Sequence, residues 1–164
     1  MKLRPFITGF LPALALAAAS AQAAVVVSFV EPDRYTDSGN QPWDRESNLR
    51  ELERYLQKLG DKYLAPNQTL RIEVLDVDLA GWPRYGGRAP NEVRVLRGGA
   101  DFPAIRLRYT LESPQARTEA REETVEDTSY LDHGLRIGTS ESLYYEKRML
   151  DEWFRKRFAA AARR

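Results

Sequence analysis

The sequence predicts an α+β domain: a two-layer sandwich in which a mixed, mostly antiparallel sheet carries two amphipathic helices in the order β-α-β-β-β-β-α. Three observations predict it. Residues 70–79 and 105–111 alternate apolar and polar side chains with the period of two that a half-buried strand requires. Leu49, Leu52, Leu56, Leu59 and Tyr63, and later Tyr145, Met149 and Trp153, recur at helical steps of three and four. The composition, 164 residues with 43% hydrophobic and 30% charged side chains, is that of one globular domain rather than a disordered chain. There is no cysteine and only one histidine, which excludes disulfides, thiolate metal sites, a cysteine nucleophile and a lipid-modified N-terminal cysteine.

The chain opens with Met1-Lys2-Leu3-Arg4, an apolar run from Phe6 to Ala19, and small residues at Ala21 and Ala23. A basic start, an apolar centre and an A-x-A site are the parts of a secretory signal peptide, so residues 1–23 are expected to be removed after Ala23. The run is shorter than the roughly 20 apolar residues of a membrane span and holds Thr8, Gly9 and Pro12. Residues 24–164 are then a single exported domain, soluble in the periplasm or secreted, with no transmembrane segment. Cleavage takes away Lys2 and Arg4 and no acid, turning the net charge from +1 to −1. That balance lacks the basic excess of nucleic-acid binders, so no nucleic-acid partner is expected.

Val25 to Val30 is a β-branched and aromatic run closed by Glu31-Pro32, and reads as the first strand. Asp33 to Trp43, with Asp37-Ser38-Gly39-Asn40 and Pro42, reads as a loop. A helix starts near Asp44; Gly60 and Pro66 end it either near Leu59 or after a frayed turn at Leu64. In the second strand the apolar set changes parity between Val74 and Leu75, which requires either a bulge or a strand covered on both faces. Gly81, Pro83, Gly86, Gly87 and Pro90 make residues 80–91 a surface loop, followed by a short strand at Val93–Leu96. Strand four, Ile105 to Leu111, turns at Ser113-Pro114-Gln115 into Ala116–Val125. The alternating charges of that last strand suit a sheet edge, a solvated helix being the alternative. The second helix runs from Leu143 to Phe158, with Glu146, Lys147, Arg148, Glu152, Arg155 and Lys156 assigned to its solvated side.

Several segments together carry a resemblance. Val27-Ser28-Phe29-Val30-Glu31-Pro32 with Tyr35-Thr36-Asp37, then Asp76-Val77-Asp78-Leu79-Ala80-Gly81, Pro103-Ala104-Ile105-Arg106-Leu107, and Tyr145 through Phe154 resemble the bacterial family called domain of unknown function 3016. The resemblance spans nearly all of residues 24–164. It implies an exported bacterial protein with no assigned activity and brings no catalytic residue with it.

The candidate sites therefore rest on the residues themselves. Asp76 and Asp78 leave one face of a strand, a spacing that suits a hard cation or an acid/base pair and so a metal-assisted or carboxylate-based hydrolase. The simpler reading pairs them with Arg106 and Arg108 across the sheet. His133, in Asp132-His133-Gly134, reads as a turn residue rather than a catalytic base. No nucleophile elbow, H-E-x-x-H or phosphate loop is present, so no catalytic residue, cofactor or metal ligand is assigned. The strongest candidate is a recognition loop, Trp82, Arg84, Tyr85 and Arg88, whose rings and guanidinium groups suit an envelope protein or ligand if Trp82 is exposed rather than folded onto the core. A lesser alternative is contact of the basic end, Arg155 to Arg164, with anionic lipid.

Overall fold

The computed structural model describes residues 22–83, 94–132 and 141–159. Strand β1 (Ala24–Phe29) leads through a 3-10 turn (Pro32–Arg34) into helix α1 (Pro42–Tyr63), which returns to β2 (Thr69–Asp78). Two short strands follow, β3 (Trp82–Pro83) and β4 (Arg94–Val95), then β5 (Ala104–Ser113), β6 (Ala116–Arg117), β7 (Arg121–Glu126) and helix α2 (Tyr144–Phe158). The main sheet runs β1-β2-β5, with β6 and β7 both on the far side of β5. β1 lies parallel to β2, as an adjacent crossover through α1 requires, and every other pairing is antiparallel.

The expected α+β sandwich is present, with two differences of detail. β4 pairs with β3 in a separate two-stranded ladder, so the strand expected at Val93–Leu96 stands outside the main sheet. The segment expected as one strand over Ala116–Val125 is two, interrupted at 118–120.

The parity change in β2 is a bulge. Register with β5 slips between Val74 and Asp76, so Leu70, Ile72 and Val74 face the core before it and Val77 faces the same core after it. Both helices cover that face, with Leu52, Leu56 and Leu59 of α1 and Leu150 and Phe154 of α2 almost completely buried. Burial of each such side chain contributes roughly 1.5–3 kcal/mol before conformational entropy is counted. An aromatic group, Tyr63, Tyr109, Trp153, Phe154 and Phe158, with ring centroids 5.2–6.3 Å apart, locks α2 against α1 and β5.

α1 passes through Gly60 without breaking and ends at Tyr63. A Cβ on Gly60 would lie 2.2 Å from Val25 Cγ2, so this glycine serves close approach of helix to strand, not termination.

The other face of the sheet is open and charged. Glu73, Arg108 and Glu122 lie in register across β2, β5 and β7, with Arg108 bridging both acids at 3.1 and 3.0 Å. Arg106 joins Glu122 at 3.3 Å. Water screens such exposed pairs, so they add little to stability and chiefly keep the face wet.

Two residues of α2 depart from the solvated side assigned to them. Glu146 is 3% and Lys147 7% exposed. Lys147 is satisfied by Glu51 at 2.8 Å and Glu141 at 3.1 Å, and it approaches the Tyr55 ring. Glu146 is buried against the backbone of Ala80.

Candidate functional site

The parallel pair β1/β2 ends where the chain must turn twice, into α1 and into β3. Open α/β sheets place ligands at such carboxyl ends. Here a cleft of about 500 Å³ opens, lined by Tyr35, Asp37, Gly39, Asp78, Trp82 and Asp101 among others.

Its floor is a polar knot. Segment 36–40 lies beside the end of β2, with Asp37 bridging Asp78: the Asp37 amide donates to Val77 O at 2.8 Å and the Leu79 amide to Asp37 O at 3.1 Å. Arg94 reaches in from β4. Its guanidinium donates to the carbonyls of Leu79, Ala80 and Gly81 at 3.1, 2.8 and 2.7 Å, and to the Asp37 carboxylate at 2.5 Å. Glu146 approaches from beneath and accepts the Ala80 amide at 2.7 Å, so the backbone of Ala80 is held from both sides by α2 and β4. Burial pushes the Glu146 carboxyl above its ordinary range, with the Ala80 amide opposing.

Gly81 completes the turn. Its φ of +76°, and a Cβ position only 2.8 Å from Val95 O, admit no side chain. Asp101 ties the far wall down, accepting Tyr130 Oη–H at 2.8 Å and the Arg97 amide at 2.8 Å. Burial first, and Asp101 second, push Tyr130 up to about 12. Tyr35 donates to Val74 O at 2.7 Å, and burial likewise pushes it up to about 12.

The carboxylates that face the cleft are not equivalent. Asp33 is paired with Arg45, Asp37 with Arg94, and Asp101 with Tyr130 and Arg97. The Asp78 carboxylate has no hydrogen-bond or ion-pair partner among the described residues. Burial raises its pKa above the ordinary carboxylate range, Asp37 and Asp76 add to the rise, and Arg94 opposes it.

Trp82 rims this cleft at 59% exposure, so it does not fold onto the core. Its pairing with Val95 in a two-residue ladder fixes the backbone and leaves the ring outward. Arg84, Tyr85 and Arg88 lie outside the described residues, as does His133.

The aspartate pair is separated by function rather than joined. Asp76 accepts the Thr36 amide and hydroxyl at 2.7 and 2.8 Å and the Val77 amide at 3.0 Å, anchoring the loop after β1. It lies opposite Arg106 in register, but the bulge sets Asp78 opposite Ala104, and the ionic partners of Arg106 and Arg108 are Glu122 and Glu73. Among the described residues, no three acid, histidine or cysteine side chains gather as a metal site. At the basic end, Arg155 and Lys156 are engaged by Glu152 and Arg157 by Glu123; residues 160–164 lie outside the described residues. No helix among the described residues is long and apolar enough to cross a membrane.

Arg94, Asp37, Asp101, Tyr130 and Glu146 form the frame of the site, and none of them stands out in the sequence. Only Asp37, inside a cluster of turn formers, carries a local signal, and that signal is for the turn. No curated protein and no solved structure matches the chain. A family model does match, over residues 23–156, in agreement with the resemblance carried by the segments around Val27, Asp76, Pro103 and Tyr145. The chain belongs to the family described as protein of unknown function DUF3016.

Proposed function

We propose that this chain is an exported, non-catalytic binding module of the bacterial envelope, and that the cleft beside Trp82 receives its ligand. The observation that carries the reading is the exposed indole of Trp82 on the rim of a cleft whose walls are held rigidly from β4, α2 and the loop before β5. A large ring carried on a paired backbone has few torsions to lose and gives contact area at little entropic cost, which is why tryptophan is enriched at recognition sites. Asp78 supplies acceptor oxygens that lack a donor among the described residues, so the complement of the cleft is an apolar surface set beside a donor or cationic group.

A carboxylate-based hydrolase using Asp76 and Asp78 has less support, because Asp76 is engaged by three donors from its own chain. Periplasmic or secreted placement rests on the signal-like residues 1–23 and is part of the same proposal.

The test uses the exported chain as bait for envelope extract, beside Trp82→Ala, Arg84→Ala and Asp78→Asn variants. The captured component is then titrated while the indole N–H resonances are followed. The expected result is loss of capture in Trp82→Ala and a shift confined to the Trp82 indole. Equal capture by all variants, or a shift only at Trp43, refutes the assignment.

A further inference from the structure

β1 is an edge strand with its outer side open. The Ala24 amide donates to Gln68 O and the Val30 amide to Val74 O, both at 2.9 Å, so the alternation of a parallel ladder turns residues 24, 26, 28 and 30 toward β2. The backbone N–H and C=O of Val25, Val27 and Phe29 therefore point away from the sheet, where no described strand pairs with them. Native edges are normally guarded by charge, proline or a bulge. The opposite edge, β7, is guarded in that way, with Arg121, Glu122, Glu123 and Glu126 in six residues. β1, Ala-Val-Val-Val-Ser-Phe, has no such device, and Val26 and the neighbouring Val30 are 45% and 42% exposed on the open face.

We propose that a second copy of this chain occupies this edge, β1 pairing antiparallel with β1 about a twofold axis through Val27. In that register Val27 faces Val27, and Val25 faces Phe29 of the other copy. Each of the three outward residues contributes one donor and one acceptor, so six interchain bonds satisfy every open backbone group on both edges. Val26 falls opposite Ser28 and Ala24 opposite Val30, so the exposed valines are covered and no like charges meet. A strand of this length spans only about 20 Å, so the dimer is weak, with a dissociation constant on the order of tens of micromolar.

The experiment measures sedimentation and residue-resolved amide exchange of the exported chain over a concentration series. The expected result is a concentration-dependent dimer in which the Val25, Val27 and Phe29 amides become protected, while those of Val26 and Ser28 are protected throughout. Val26→Lys, at an exposed position, weakens self-association about tenfold by setting two ammonium groups on one diagonal. Ser28→Glu mixed with Val26→Lys restores a heterodimer, because the carboxylate introduced at position 28 of one copy then faces the ammonium introduced at position 26 of the other. A monomer up to millimolar concentration, a dimer whose three outward amides still exchange freely, or failure of the mixed pair overturns the proposal. Protection that arises only on adding envelope extract assigns the edge to a strand of another protein and overturns it equally.

Discussion

Replacing Arg94 with alanine tests whether the frame of the cleft is held as the geometry indicates. The side chain is 16% exposed and its Asp37 partner 21%, so the pair is mostly withdrawn from water. Its removal leaves the Asp37 carboxylate with the Gly39 amide at 3.1 Å as its remaining donor within the turn, close to the Asp78 carboxylate, and takes one donor each from the carbonyls of Leu79, Ala80 and Gly81. Breaking a buried ion pair from one side costs about 3–5 kcal/mol; partial access of water places this one near about 3 kcal/mol. Arg94→Lys keeps the charge but not the fork that reaches three carbonyls, and should lose about 1–2 kcal/mol. In Arg94→Ala/Asp37→Asn the stranded charge is gone, so the double variant should lose less than the sum of the singles by about 1–2 kcal/mol. Urea unfolding at unchanged m-value measures the parent and each of these variants. A loss below about 1 kcal/mol for Arg94→Ala, or strict additivity in the cycle, would refute the argument.

Two further outcomes follow from contacts between helix and sheet. Gly60→Ala gains about 1 kcal/mol of helix propensity but drives a methyl into Val25, an overpacking cost of about 1–3 kcal/mol, so the net change is a loss of about 1 kcal/mol. In a Val25→Ala background the same substitution should become stabilising, which thermal unfolding of the four chains decides. Glu123 accepts Trp153 Nε1–H at 3.1 Å, Tyr109 Oη–H at 2.8 Å and Arg157 Nε–H at 3.2 Å; burial pushes its pKa up, but these donors outweigh it and hold the carboxyl below its ordinary value. A depressed folded pKa means stability that is present above the ordinary glutamate range and lost as pH falls through the folded value. Glu123→Gln should therefore be less stable than the parent at neutral pH and approach it under acid; a constant difference from neutral pH to about pH 2 would show that the charge plays no part.

What was legible in the sequence was what side chains report about themselves. The stripe Leu49, Leu52, Leu56 and Leu59 announces α1 because each residue is buried by its own position on a helix. The parity change at Leu75 marks the irregularity but fits a bulge and a strand covered on both faces equally; the register slip between Val74 and Asp76 decides for the bulge. The frame of the cleft was not legible, because its partners are backbone groups. Glu146 is buried by an amide 66 residues away in sequence, and Arg94 by carbonyls 13–15 residues before it; an amide or a carbonyl looks the same in every residue. Periodicity assigned Glu146 and Lys147 to solvent for the same reason: a period of 3.6 marks the apolar stripe of α2 but not the polar flank that a neighbouring loop covers. Trp82 stayed ambiguous until the short ladder with Val95 set the direction of its ring.

That asymmetry bears on which residues of the cleft are free to bind. A carboxylate that holds the fold together is recognised by its donors: Arg94 for Asp37, Tyr130 for Asp101 and Ala80 for Glu146. Folding has left Asp78 half-buried, beside two other acids and without a donor among the described residues, an arrangement that costs stability. Removing the charge should make the folded chain more stable at neutral pH and leave the frame intact, whereas removing the charge of Asp37 should do the reverse; urea unfolding of Asp78→Asn and Asp37→Asn beside the parent measures both. A position where the stable residue is not the one present is where a ligand's contribution is expected. Asp78, which lines the same cleft as Trp82, is that position here.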